Sequence, residues 1–183
     1  MISNKIKMKP TIDANAIEAL SPTEAAKLQI RALYAAITEA HNARQFDRDQ
    51  EPWYSAMTCS PNLQIEVAYG SRSHVSIDEY LETGKLLFGG NLNLFVEVTN
   101  LEIDVWIGDG RRRRGGMQEW SATVWAQQAL RDGDVGLVRR SVIIAEFRKD
   151  GNYDGEEGRK LGWEGWRCVS CRNIKGMVDG GGL

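Results

Sequence analysis

Histidine is almost missing from this chain: there are two in 183 residues, His41 and His74. A metal centre built on imidazole ligands is therefore not expected. Cysteine is nearly as scarce. Cys59, Cys168 and Cys171 are too few, and odd in number, for a disulfide scaffold, so a reducing, cytoplasmic setting is expected. No apolar run approaches the roughly 18 residues of a membrane span. The basic opening MISNKIKMKP is followed by no apolar stretch, which argues against a secretory leader. Charge of one sign is also lacking: a formal net of -2 provides no global basic field to attract nucleic acid. The glycines at 89–90, 108–116 and 180–182 do not follow strand-then-helix order, so they form no nucleotide fingerprint, and no G-x-S-x-G elbow occurs.

What is present is an ordinary globular composition, 42% hydrophobic and 26% charged, in a length that suits one domain. Residues 1–20 are mixed and polar and read as a loose arm, and 177–183 read as a flexible tail. Between them, 21–176 read as a single domain. SPTE at 21–24 is a helix start: Ser21 caps, Pro22 suits the first position, and Glu24 completes a capping box. The helix runs to about Arg44, and Ile30, Tyr34, Ile37 and His41 fall within about 60° of one another on it. Tyr34 and His41 are thus expected on the buried stripe. FDRDQEPWYSAM (46–57) reads as a short helical or looped segment that Pro52 could open. NLQIEVAYG (62–70) alternates as a strand, and SIDEYLETGKLLFGG repeats the capped-helix signature with Ser76 and Glu79.

From residue 92 the period becomes two. Leu92, Leu94, Val96 and Val98 alternate on even positions, then Leu101, Ile103, Val105 and Ile107 on odd ones. The parity change predicts a bulge near Thr99-Asn100. Further strands are expected over 117–130, 135–149 and 163–174, joined by turns. Two helices, a strand, a helix and four hairpin-linked strands make an α+β layout with an antiparallel sheet.

Three features invite a functional reading. Cys168-Val-Ser-Cys171 has C-x-x-C spacing but lies in a strand, where residues three apart point to opposite sides. The expectation is one cysteine in the core and the other on the far face, with neither metal nor disulfide. The run Arg111–Arg114 lies between glycines with no interleaved aromatic, and reads as a solvated loop rather than a nucleic-acid site. Glu66, between Ile65 and Val67, is either the polar face of a half-exposed strand or a carboxyl lining a pocket, where desolvation would raise its pKa toward acid–base duty. His41 is likewise either a satisfied core histidine or a functional one. Six tryptophans suit an apolar cavity for a flat or polycyclic ligand.

The order of a capped helix ending in HNARQFDR, then SPNLQIEVAYG, a capped helix SIDEYL, and four long strands ending in WRCVSCR resembles the NTF2-like (SnoaL-like) cone over roughly residues 22–176. Within that superfamily the spacing is similar to scytalone dehydratase and to SnoaL-like cyclases and isomerases of fungal natural-product pathways. The resemblance implies an α+β cone in which N-terminal helices and a curved antiparallel sheet enclose a pocket. Position by position, His41-Asn42 stands where the dehydratase has a Tyr-Asp pair. Val67 stands at its pocket tyrosine, with Tyr69 two residues on. Leu94–Val98 and the region of Trp120 stand where it has its two histidines, and Ser141 matches its serine. The steroid-isomerase base falls near Gln64–Glu66, its tyrosine within a turn of Tyr34, and its second acid near Ala145.

The resemblance therefore implies a cofactor-independent cyclase or isomerase working by acid–base catalysis on a polycyclic polyketide, terpenoid or alkaloid intermediate of secondary metabolism. A dehydratase of the same fold, or a non-catalytic small-molecule-binding or dimerisation module, is the alternative. His41 and Glu66 are the expected proton donor and acceptor. Tyr34, Tyr54 and Tyr69 are expected as hydrogen-bond partners, and Trp53 and Trp120 as walls. Alternation puts Arg139, Ser141, Ile143 and Ala145 on one face, with Arg139 and Ser141 as substrate contacts. No metal, cofactor, nucleic acid or membrane is implied. Many members of the superfamily dimerise, which makes a homodimer one of the implied states.

Overall fold

The computed structural model describes residues 20–58, 63–66, 74–108, 119–134, 136, 139–149, 163 and 165–175. The loose arm (1–19), Tyr69, the arginine run and the tail lie outside these residues.

Helix α1, Pro22–Asn42, begins where Ser21 Oγ accepts from the Glu24 amide at 3.3 Å. Its apolar stripe buries Ala26, Ile30, Leu33 and Tyr34, Ile30 and Leu33 completely. A π-helical turn, Tyr54–Thr58, occupies the segment after Pro52. Two short strands follow, β1 (Gln64–Glu66) and β2 (His74–Val75). Helix α2, Ile77–Gly89, carries the full capping box: Glu79 N–H donates to Ser76 Oγ at 3.2 Å, and Ser76 N–H to Glu79 Oε2 at 2.8 Å. Then come β3 (Leu94–Ile107), β4 (Trp120–Asp132), β5 (Arg139–Lys149) and β6 (Trp166–Lys175).

The six strands form one curved sheet in the order β2-β1-β6-β5-β4-β3. It is mixed rather than antiparallel throughout. β3 to β6 form an antiparallel meander, but β1 lies parallel to β6, with Ile65 opposite Cys171 and Glu66 opposite Arg172. The parallel pair is closed by α2 and the whole meander, a connection far longer than a hairpin could provide.

Two bulges set the phase of the inner face. In β3, Val98 pairs with Gln128 and Asn100 with Gln127, leaving Thr99 unmatched where the parity change predicts it. A second lies at Val169, where Cys168 pairs with Phe147 and Ser170 with Glu146. This extra residue overturns the expectation for the cysteines. Cys168 and Cys171 do not diverge: both turn toward the core, Cys168 buried and Cys171 half-buried against it.

The end of α1 is tied to the sheet edge. Asn42 acts as a short strand of its own, accepting from the Val96 amide at 2.7 Å and donating to the Val96 carbonyl at 2.9 Å. Arg44, in the left-handed region at φ 58°, donates to the carbonyls of Leu92 (2.6 Å) and Leu94 (3.0 Å) just ahead of and at the start of β3.

Gly84 in the middle of α2 makes room for the Phe46 ring, because a Cβ there would lie 2.5 Å from a ring carbon. Helix propensity alone would make alanine about 1 kcal/mol better at this position. Gly84→Ala is instead expected to destabilise by about 1–3 kcal/mol through overpacking, read as a lower urea midpoint at unchanged slope. A raised midpoint would show that Phe46 can swing clear at no cost.

Candidate active site

The inner face of the sheet and the buried stripes of α1 and α2 bring two phenols, an imidazole and two thiols together. His41 lies in an aromatic cluster, its ring centroid 5.0 Å from Trp53, 5.6 Å from Phe46 and 5.9 Å from Phe88. Its Nδ1 is 2.8 Å from the carbonyl of Ile37, one turn back. A carbonyl only accepts, so Nδ1 carries the hydrogen and Nε2 the lone pair. The Tyr80 hydroxyl, 2.9 Å away, donates to that lone pair. Burial drives the imidazole pKa down to about 4, opposed in part by the bond to Ile37. His41 is thus a neutral acceptor held in a single tautomer.

Tyr34 is buried on α1 and receives a hydrogen bond at its phenolic oxygen from Gln128 Nε2 at 2.6 Å. Its own hydroxyl hydrogen meets no acceptor among the described residues. Burial raises its pKa well above that of a free phenol, and Cys171 and Tyr80 nearby add to the effect. Burial, with Cys171 and Cys168, likewise holds Tyr80 protonated. The Cys171 thiol is pushed up to about 12 by burial, and Cys168, whose Sγ donates to the Ser170 carbonyl at 3.3 Å, is raised as well. Burial therefore suppresses ionisation of these phenols, thiols and the imidazole near neutral pH. The raised pKa values favour the thiol over the thiolate form of both cysteines. Among the described residues no three His, Cys, Asp or Glu side chains converge as a metal site.

The expected site residues divide between two faces. Trp53 is completely buried in the His41 cluster, its indole N–H donating to the Gln45 carbonyl. Ser141 lies on the inner face opposite Gln128, and Arg139 one row beyond it, opposite Leu130. Trp120 lies half-buried at the other end of that face, opposite Lys149, whose Nζ is 6.0 Å from the ring centroid. Glu66 does not join them. Ile65 takes the inward position on β1, and Glu66 turns outward to accept from Arg172 Nε at 2.6 Å in a cross-strand ion pair. Both side chains of this pair are partly exposed to solvent. Tyr54 is exposed (44%) and lies outside the buried cluster around His41.

Tyr80 and Gln128 are the members that sequence reasoning did not single out, and Cys171 was expected away from the core. Tyr80 was legible only as part of the α2 stripe, and Gln128 looks like any polar residue of a strand until its phase is known. An open depression of about 370 Å3 lies on the outer face, lined by Asn100, Glu102, Asp104, Trp125, Gln127 and Val142, and shares no residue with the interior.

The half-buried neutral histidine makes stability depend on pH. Its folded pKa of about 4 lies below the ordinary 6.5, so between these values the unfolded chain binds the extra proton. Stability from this group is complete above about pH 6.5 and is lost as pH falls through 4, by about 3 kcal/mol in all. Urea melts between pH 4 and 7 are expected to show this acid limb in the wild type and not in His41→Gln. The same limb in both proteins would show that His41 is not the group responsible.

No protein-family model matches the chain, and no curated protein does. Solved structures do. A putative dehydratase of the NTF2-like family from Streptomyces avermitilis is 14% identical, with 86% of this chain and 100% of that one aligned at a TM-score of 0.53. A conserved protein from Planctomyces limnophilus is 16% identical, covering 85% and 99% of the two chains at 0.47. The NTF2-like domain of Chaetomium thermophilum Mex67, complexed with Mtr2, is 16% identical, covering 84% and 97% at 0.48. At these identities the likeness speaks for the fold alone, which the first of the three supports. With its N-terminal helices, open six-stranded curved sheet and inward-facing aromatic cluster, the chain has the NTF2-like cone fold.

Proposed function

We propose that the interior of the cone is the active site of a cofactor-independent isomerase or cyclase that moves a proton on a neutral, polycyclic natural-product intermediate. The observation that carries this reading is the pairing of two phenols in opposite roles. Tyr34 accepts from Gln128 and keeps its own hydrogen available, whereas Tyr80 spends its hydrogen on His41 and keeps its oxygen lone pairs available. One is a donor and the other an acceptor, in a desolvated interior where each is worth more than in water.

In the reaction, Tyr34 donates to a substrate carbonyl oxygen and stabilises the enolate that develops there. The proton leaving the adjacent carbon passes to the Tyr80 oxygen as the Tyr80 proton passes to His41 Nε2. The imidazolium formed is balanced by the enolate formed in the same step, and Nδ1–H stays bonded to Ile37 throughout. Returning the proton at a different carbon isomerises the skeleton; alternatively, attack of the enolate carbon on a second carbonyl closes a ring, and the alkoxide formed takes a proton from Tyr80 as His41 returns its own to Tyr80. Ser141 contacts the substrate beside Gln128, and Trp53 backs the imidazole. In this scheme His41 keeps the acid–base role that its place on the stripe suggests, and Tyr80 takes the place of Glu66. A dehydratase would use the same donor and acceptor and then lose a hydroxyl as water.

The test is a panel of aromatic polyketides, indole alkaloids and terpenoids, followed by tryptophan quenching for binding and by mass spectrometry for conversion. A product of unchanged mass supports the isomerase or cyclase, and loss of one water the dehydratase. For a converted compound, Tyr34→Phe is expected to lower kcat by about 10²–10³ with KM little changed, and Tyr80→Phe to do the same. Saturable binding with no conversion anywhere in the panel would overturn the catalytic reading in favour of a binding module. Full turnover in the Tyr34→Phe, Tyr80→Phe double variant would overturn the assignment of the two phenols.

A further inference from the structure

One buried polar atom of the interior is not used by this chemistry. Asn173 on β6 lies directly across from Ile143 on β5 and so shares the inner face. Its Oδ1 is buried and accepts no hydrogen bond among the described residues. An amide oxygen taken from water and given no donor is costly, and a folded protein retains few of them. Two positions from Ile143 on the same face of β5 is Ser141, opposite Gln128, which holds Tyr34. The interior thus has a phenol hydrogen without an acceptor on one side and an amide oxygen without a donor on the other.

This end of the inner face is less closed to solvent than its centre. Ile143 and Ala145 are buried, yet Gln128, Ser141 and Asn173, which point the same way, each keep partial contact with solvent. A ligand approaching from this end would lie on the side of the interior that holds both unused atoms.

We propose that Asn173 is the specificity-determining residue of the cone, its Oδ1 accepting a hydrogen bond from a phenolic or enolic hydroxyl of the ligand. The class selected is a flat apolar skeleton with a neutral hydroxyl. The O-methylated counterpart of such a ligand, which has no hydrogen to give, leaves Oδ1 unsatisfied and is disfavoured. This inference rests on reading the interior as a small-molecule site, and not on the identity of the reaction.

The experiment is a ligand-observed NMR titration of the full chain at pH 7 with 2-naphthol and 2-methoxynaphthalene, which differ by that one hydrogen. The wild type is expected to bind the naphthol about tenfold more tightly. In Asn173→Leu the preference is expected to vanish while the methoxy compound binds at least as well. Asn173→Ala, which adds no bulk, reads the same loss should the leucine disturb folding, and circular dichroism checks both variants. Equal binding of the two compounds by the wild type, or a preference that survives in both variants, would overturn the role of Asn173 and leave the small-molecule reading standing. Binding of neither compound would overturn both.

Discussion

Two residues without partners, Thr99 in β3 and Val169 in β6, decide what the inside of this protein contains. In a pleated strand each step of one residue turns the side chain to the other face, so one inserted residue inverts everything beyond it. Without the bulge at Thr99, Leu101, Ile103 and Val105 would face outward and Glu102 and Asp104 would face the core. Without the one at Val169, Cys171 and Asn173 would leave the inner face and Arg172 would enter it. Thr99 is steadied by its hydroxyl, which donates to the Gln127 carbonyl at 3.2 Å across the strand pair. The bulges also increase local twist and bend, which lets long strands wrap the helices and not lie flat beneath them.

The consequence is electrostatic. Ion pairs among the described residues stand on the outside, as with Glu66–Arg172, Arg131–Glu97 and Arg48–Asp78. Exposed pairs of this kind are each worth at most about 1 kcal/mol, and the fold does not lean on them. Inside, burial disfavours the charged forms of the imidazole, phenols and thiols. The hydrogen bonds run in one order, Tyr80 to His41 and His41 to the Ile37 carbonyl, which fixes the ring in one tautomer.

The C-terminal turn of α1 serves three clients in four residues. His41 points into the aromatic cluster, Asn42 pairs with the backbone of the edge strand at Val96, and Arg44 holds the carbonyls at the start of β3. This fastening also satisfies both hydrogen-bonding groups of an edge residue that would otherwise offer itself to another strand. A shift of the helix end would move the imidazole relative to Tyr80, its hydrogen-bond donor.

Much of this was legible in the linear chain, and for identifiable reasons. The capping signals at Ser21 and Ser76 act over three residues, so helix starts could be read directly. The stripe of Ile30, Tyr34, Ile37 and His41 and the parity change at Thr99 are also local patterns, and they led to a buried tyrosine, an inward histidine and a bulge. The bulge at Val169 left no such mark, because WRCVSCR has no alternation clear enough to show a slip, and the cysteines were placed on opposite faces as a result. Glu66 and Tyr80 show the same limit: polarity within a strand or helix does not say which partner lies across the sheet or on the next helix. The sequence by itself determined the elements, their order and the α+β class, since those follow from periodicity and capping within a few residues. Only the tertiary structure decided which ionisable groups meet, because Tyr34 with Gln128, His41 with Tyr80 and Glu66 with Arg172 join positions 94, 39 and 106 residues apart, and strand register, not local pattern, sets those distances.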